Sequence, residues 1–159
     1  MRVLAIDPGP VESAYALIDA ETRRPVAVGK VDNHELRDML PGLCYEASVG
    51  AIEMVASYGM PVGKEVFETC VWIGRFIEAS GCSLAPIVRL DVKLHHCHSS
   101  KASDSNITQA LIDRFASGEP NRGKGTKAEP GWFHGFRADI WQAYALAVLI
   151  ADRTEGEPA

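Results

Sequence analysis

The chain has 159 residues, which suits one domain with a sizeable core. Its 47% hydrophobic and 23% charged residues are ordinary globular usage, and its net charge of −5 excludes a uniformly basic nucleic-acid binder, so any phosphate contact must come from a local patch. No apolar run reaches membrane-spanning length and the N-terminus lacks a signal-peptide layout, so we expect a soluble, cytoplasmic protein with no membrane partner.

The first third of the chain predicts three strands in an antiparallel meander, at residues 2–6, 13–18 and 26–31. The pattern then alternates between helices and strands, with a helix at 34–43, a strand at 49–55, a helix at 64–79, a strand at 84–90, and helices at 103–115 and 138–152. This order predicts an α/β fold with a mixed sheet whose parallel half is covered by helices. We expect a single domain over residues 1–152 and a polar tail over 153–159.

Apolar spacing in the helix at 64–79 predicts a buried face made of Val66, Phe67, Cys70, Val71, Ile73, Gly74 and Ile77. The segments 56–63 and 117–130 are rich in glycine and proline and should be loops near the rim of the sheet. The cysteines form no C-x-x-C pair, so we expect four reduced thiols: Cys44, Cys70, Cys82 and Cys97.

Three carboxylates stand where apolar elements begin or end. Asp7 ends the first strand, Glu53 lies in the fourth, and Asp139 opens the Ala-rich final helix. An aspartate before a turn such as Pro8-Gly9-Pro10 is often only a cap, but buried carboxylates need a cation or a hydrogen-bond partner. Three such residues on three apolar elements favour a metal site.

Four segments resemble the motifs of the RuvC-type Holliday junction resolvases, which belong to the RNase H-like nuclease superfamily. The opening run Val-Leu-Ala-Ile-Asp-Pro-Gly-Pro is similar to the first motif, and Ala51-Ile52-Glu53-Met54 to the second. Residues 92–93 and 101–111 resemble the segment between strand and helix, and 137–147 resemble the last motif. The segment 53–75 resembles small phage-encoded members of this family.

The resemblance implies an RNase H-like fold, a mixed five-stranded sheet flanked by helices. It also implies a metal-dependent, structure-selective DNA endonuclease that resolves Holliday junctions or other branched DNA by phosphodiester hydrolysis. Mg²⁺ would be the cofactor, with Mn²⁺ as a substitute, and two ions would activate water and stabilise both apical oxygens. Asp7, Glu53 and Asp139 would be the metal ligands and catalytic residues, with Asp7 bridging the ions.

The last motif departs from the family pattern, which places two ligands three residues apart. Here the positions three before and three after Asp139 are Phe136 and Gln142. Replacement ligands could be Gln142 through its amide oxygen, His134 through its imidazole, or Asp104.

Candidate DNA contacts are an aromatic residue in the 56–63 loop and cations next to the motifs or in the 117–130 segment. The alternative role of the cations is that of ordinary solvated surface residues, and the alternative for the aromatic residue is local packing. They are Tyr58, Lys93, Lys101, Arg122, Lys124, Lys127 and Arg137.

The run His95-His96-Cys97-His98 has zinc-binding residue types, but no second pair stands at finger-like spacing, so a loop near the DNA is the better interpretation. Two other functions stay open. One is an actin-like ATPase, which normally needs two such domains and more chain; the other is a non-catalytic branched-DNA-binding protein that retains the fold. The resemblance also implies a homodimer, with Phe67, Val71 and Trp72 as candidate contacts.

Overall fold

The sheet of this computed structural model has five strands and mixed directions. Residues 1–156 are described; the end of the predicted tail, 157–159, lies outside them. The strands are β1 (Arg2–Asp7), β2 (Glu12–Asp19), β3 (Pro25–Asp32), β4 (Val49–Met54) and β5 (Leu84–Val88). Their order is β3-β2-β1-β4-β5; β2 is antiparallel to both β1 and β3, and β4 is parallel to β1 and β5. The predicted meander and mixed sheet are confirmed.

Helices cover both faces of the sheet. They are α1 (Asn33–Glu46), α2 (Lys64–Ser80), α3 (Arg89–Cys97), α4 (Asp104–Phe115) and α5 (Ile140–Gly156), with a short 3-10 turn at Pro120–Gly123. Two hydrophobic clusters follow from this layering, one under α1 and α2 and the other under α3, α4 and α5. None of the helices within residues 1–156 is long and apolar enough to cross a membrane.

Helix α5 lies at the centre of its face of the sheet. Every residue from Ile140 to Ala151 is buried, as expected of a helix that is apolar on all sides. Its small alanines allow close approach to β1 and β2. The helix continues to Gly156, so it extends into the segment that was predicted to be a polar tail.

The predicted buried face of α2 is largely wrong, because Ile73 is the only one of its seven residues that is buried. The helix buries Ile73 together with Thr69, Trp72, Phe76 and Ser80. Phe67, Val71 and Ile77 are 61%, 53% and 40% exposed. The helix carries apolar residues on two sides, so spacing alone could not indicate which side meets the sheet. Trp72, a candidate dimer contact, lies in the core, and its ring centroid is 5.5 Å from that of Phe76.

Helix α3 was not predicted, and the loop expected at His95-His96-Cys97-His98 is wrong, since residues 95–97 end this helix. Two of the histidines pack against α5: His95 Nε2 lies 2.7 Å from an Asp152 oxygen, and His96 Nε2 lies 2.8 Å from the Ala145 carbonyl. The strand β5 ends at Val88, two residues before the predicted end. A nine-residue helix without a side-chain cap follows it directly, so no signal marks the change.

The prediction of four reduced thiols is wrong for one pair. Cys44 on α1 and Cys82, just before β5, form a disulfide with their Cα atoms 5.8 Å apart. Both lie in the cluster beneath α1 and α2. Cys70 and Cys97 are free, and Cys70 is exposed rather than buried.

Candidate metal centre

Asp7 and Glu53 lie side by side at the carboxyl ends of β1 and β4. Ile6 and Ile52 are paired in the parallel ladder, and Asp7 and Glu53 are the next residues along each strand. Neighbouring strands are about 4.8 Å apart and side chains alternate between faces. Both carboxylates therefore point to the face covered by α5, at the edge where ligands bind open α/β sheets.

Hydrogen bonds hold the turn that follows Asp7. The Gly9 amide donates to Ser13 Oγ at 3.0 Å, and Ser13 Oγ donates to Asn33 Oδ1 at 2.6 Å. The side-chain Nδ2 of Asn33 closes the ring by donating to the Gly9 carbonyl at 2.9 Å. Ser13 and Asn33 are both buried, so this ring fixes the backbone at the end of β1. Pro8-Gly9-Pro10 therefore forms a turn and also helps to hold the Asp7 carboxylate in place.

Asp139, at the start of α5, lies near Asp7 and Glu53, and these three side chains form the carboxylate cluster. Its carbonyl accepts hydrogen bonds from the amides of Gln142 and Ala143, each at 3.0 Å, so it begins the helix. The preceding residue, Ala138, has φ of 45°, a left-handed conformation that costs a residue with a side chain about 1 kcal/mol or more. Such strain is common beside functional groups, where surrounding structure imposes the geometry.

Lys30 pairs with Asp139. The Lys30 Nζ donates to Asp139 Oδ2 at 2.7 Å. Ala14 pairs with Lys30 on one side and with Asp7 on the other, so these three residues form one row across β3, β2 and β1. The sheet register thus brings an ammonium group to the same face as the carboxylates.

Arg89, the first residue of α3, binds three polar side chains from three other elements. Its guanidinium donates to Glu53 Oε2 at 3.2 Å and to Gln142 Oε1 at 2.6 Å, and it forms an ion pair with Asp104 at the start of α4. Three helices and one strand meet at this side chain. Arg89 therefore organises the Glu53 side of the cluster.

Asp7 carries the least compensated charge of the cluster. Burial, with Glu53 and Asp139 nearby, raises the pKa of the Asp7 carboxyl to about 8. Burial also raises the pKa of Glu53, because desolvation and the neighbouring Asp104 and Asp139 outweigh the attraction of Arg89. A carboxyl group with a raised pKa among other carboxyl groups is typical of a functional site and gains from a bound cation.

The residue types fit a hard divalent cation, which prefers oxygen ligands from carboxylates, amides and water. Within residues 1–156, however, no three or more histidine, cysteine, aspartate or glutamate side chains are already close enough together to hold a metal ion. The physical reason is that Arg89 binds Glu53 and Lys30 binds Asp139. A metal ion would have to draw at least one of these carboxylates away from its cation.

Two of the three additional ligand candidates lie near the carboxylates, and the third does not. Gln142 and Asp104 lie beside the cluster and bind Arg89. His134 is exposed, and its Nδ1 lies 3.3 Å from the Lys124 carbonyl in the loop before α5, so its contact is with that loop.

The candidate DNA contacts fall into two groups and some isolated cations. Tyr58, which is 70% exposed, lines a surface cavity with Arg89 and Lys93. Arg122 and Lys124 line a second cavity beside Trp141 of α5. The remaining cations are exposed, in the turn between α3 and α4, in the loop after the 3-10 turn and just before Asp139: Lys101, Lys127 and Arg137.

Arg89 and Lys30 were missed by the sequence analysis, although a usable signal existed. Arg89 follows Pro86-Ile87-Val88 and precedes Leu90, and Lys30 follows Val28-Gly29 and precedes Val31. A cation inside an apolar run needs a partner for the same reason that a carboxylate does. Applying that argument to both signs of charge would have indicated these two residues.

Comparison with known proteins supports the fold. No family model and no curated protein sequence matches this chain. Among solved structures, Thermus thermophilus RuvC is 15% identical with a TM-score of 0.66, covering 98% of this chain and 97% of that one. T. thermophilus RuvC in complex with Holliday junction substrate is 12% identical with a TM-score of 0.69, covering 97% and 94%. The fowlpox virus resolvase with its substrate Holliday junction DNA is 15% identical with a TM-score of 0.53, covering 97% and 99%. The chain has the RNase H-like fold of these resolvases, which confirms the fold prediction.

Proposed function

We propose that this protein is a metal-dependent, structure-selective endonuclease that cuts Holliday junctions or other branched DNA by phosphodiester hydrolysis. The observation that carries the proposal is the position of Asp7. Its largely desolvated carboxyl group, which has no ion-pair partner within residues 1–156, stands at the strand edge of a resolvase-like fold, next to Glu53 and Asp139. The RuvC and fowlpox virus structures with the same fold hold Holliday junction DNA, which supports branched DNA as the substrate class.

The residues of the cluster have distinct proposed roles. Asp7, Glu53 and Asp139 supply anionic oxygens, and Mg²⁺ or Mn²⁺ bound to them would lower the pKa of a water nucleophile and stabilise the leaving oxygen. Gln142 and Asp104 position the guanidinium of Arg89. Arg89 and Lys30 place fixed positive charge where an anionic phosphate would approach.

The DNA path that we propose runs past both cationic cavities. In this proposal Lys93 beside Arg89 binds backbone phosphate at the first cavity, and Arg122 with Lys124 binds it at the second. Tyr58 is exposed next to the first cavity and could stack on an unpaired base at a branch point. Lys101, Lys127 and Arg137 would add contacts further along the backbone.

We also propose a homodimer, because a symmetric dimer matches the symmetry of a four-way junction. Helix α2 has three exposed apolar side chains, Phe67, Val71 and Ile77, and these supply a candidate interface. Trp72 is excluded as a contact, since it lies in the core.

One observation favours a second candidate function. Both Glu53 and Asp139 already have cationic partners, so the cluster is electrostatically paired in part without metal. A protein that binds branched DNA without cutting it would show the same pairing.

The proposal is tested with a labelled synthetic four-way junction and a matched linear duplex, each in Mg²⁺, Mn²⁺ or EDTA. We expect symmetric nicking of the junction that needs metal, spares the duplex and falls more than about 100-fold in Asp7→Asn, with junction binding retained. Asp113→Asn on the exposed face of α4 is the control and should cut normally. Tight junction binding with no cutting in either metal would instead establish the non-catalytic function.

A further inference from the structure

Two cations are built into the carboxylate cluster, and they are held very differently. Arg89 donates to Glu53 and Gln142 and forms an ion pair with Asp104, and its side chain is 22% exposed. A guanidinium has a planar set of donors and keeps its charge in proteins. With three acceptors on separate elements, Arg89 is fixed in place.

Lys30 makes a single contact with the cluster. Its ammonium group donates to Asp139, whose side chain is 51% exposed. A lysine side chain is a flexible stem ending in a compact charge, and this ion pair is partly screened by solvent because the Lys30 and Asp139 side chains are 20% and 51% exposed. A divalent ion can therefore take Asp139 from Lys30 much more easily than it can take Glu53 from Arg89.

The charge balance limits how much more positive charge the cluster accepts. Four carboxylates, the three of the cluster (Asp7, Glu53 and Asp139) and that of the neighbouring Asp104, face two cations, so together these groups carry two negative charges when fully ionised. One divalent ion neutralises that excess. A second would leave two positive charges in a half-buried space, or would displace Arg89 from its three acceptors and leave the guanidinium unpaired.

We propose that the cluster binds one divalent ion, held by Asp7 and Asp139, and that Arg89 occupies the place beside Glu53 that a second ion would otherwise take. Arg89 then supplies the positive charge of that second position permanently, without a metal-binding step. This inference rests on the proposed metal-dependent nuclease function and departs from the two-ion arrangement that the sequence resemblance implies.

The test counts Mn²⁺ bound per chain on the free, full-length protein. Electron paramagnetic resonance measures the unbound ion and isothermal titration calorimetry gives the stoichiometry, both at pH 8.5. We expect one Mn²⁺ in the wild type and two in Arg89→Met, because the oxygens of Glu53, Asp104 and Gln142 become free. Arg37→Met, which removes an exposed arginine paired only with Asp38, is the matched control and should bind one ion.

Two results would overturn the inference: a wild-type count other than one, or a folded Arg89→Met protein that still binds one ion. Circular dichroism establishes whether Arg89→Met is folded, and if it is not, the wild-type count decides alone. Junction nicking is measured separately, so the two proposals can fail independently. One bound ion without nicking would overturn the nuclease function only, and two bound ions with nicking would overturn the one-ion site only.

Discussion

At the scale of single residues, Asp7 differs from its two neighbouring carboxylates in having no cation of its own. Glu53 is bound to Arg89 and Asp139 to Lys30, while Asp7 makes no side-chain hydrogen bond within residues 1–156. Its charge is therefore the least stabilised of the three, and a protonated form is favoured until a metal ion binds. Proton release and metal binding should be linked at this residue.

This linkage gives a pH dependence of metal affinity. Because the pKa of Asp7 is raised to about 8, its carboxyl group is mostly protonated at pH 7, and a metal ion must displace that proton. We expect Mg²⁺ affinity to rise about tenfold per pH unit below pH 8 and to level off above it. Calorimetry in two buffers with different ionisation enthalpies should give close to one proton released per ion at pH 7.

The same titration at pH 9 is the control, and it should release almost no protons because Asp7 is already ionised. An affinity that does not change between pH 6 and pH 8 would contradict the assignment of Asp7 as the protonated ligand.

At the scale of structural elements, the segment between α4 and α5 is a packed unit rather than the simple loop that its composition suggests. Phe133 and Phe136 are buried against Trp141 and Tyr144 of α5, with ring centroids 4.7 to 5.6 Å apart. The absence of a side chain at Gly123 makes this packing possible. Gly123, with φ of 79°, lies directly against the Phe133 ring. The segment thereby holds in place Arg122 and Lys124, which line the second cavity, and the backbone just before Asp139.

Gly123→Ala should therefore destabilise the protein. An added Cβ would lie 2.9 Å from Phe133 Cδ2 and would collide with the Ala116 side chain, in a left-handed conformation that disfavours alanine. We expect a loss of about 2–4 kcal/mol in the free energy of unfolding, measured by urea denaturation.

Gly42→Ala provides the matched comparison, because Gly42 lies inside α1 and an alanine Cβ at this position would meet nothing within 4 Å. That substitution should stabilise by about 0.5–1 kcal/mol. A Gly123→Ala protein as stable as the wild type would show that the segment adapts without loss.

At the scale of the whole molecule, the carboxylate cluster and the proposed dimer surface lie on opposite faces of the sheet. The face under α5 carries the carboxylate cluster at its strand edge, whereas the face under α1 and α2 carries an outer apolar surface on α2. A dimer formed through α2 would leave the carboxylate cluster of each subunit accessible to DNA. This separation is what a symmetric two-site nuclease requires.

A charge placed on that surface should break the proposed dimer. Phe67→Glu puts a carboxylate at a side chain that is 61% exposed in the single chain, so the fold should be unaffected while dissociation increases more than about 30-fold. Sedimentation velocity across a concentration series measures the change. Tyr45→Glu on α1, at a residue 92% exposed, is the control and should leave the mass unchanged. A wild-type protein that is monomeric at every concentration would rule out the interface.

The amino-acid sequence by itself determined the sheet, most of the helices and the three acidic positions. Local patterns carry this information: alternation and apolar runs for strands, 3.6-residue spacing for α4, a long apolar run for α5, and carboxylates where apolar runs begin or end. The resemblance to RuvC-type resolvases added that Gln142 stands where that family places a fourth ligand. The agreement with the observed fold is close because each of these features depends on residues near one another in the chain.

Only the tertiary structure decided which charges meet. Lys30 and Asp139 are 109 residues apart, and Arg89 and Gln142 are 53 apart. Their pairing follows from sheet register and from the meeting of α3, α4 and α5, which no local pattern specifies. The side of α2 that is buried, the disulfide between Cys44 and Cys82, and the helix in place of the His-rich loop were decided in the same way. Each depends on which surfaces the folded sheet leaves to be covered, and that is a property of the assembled layers.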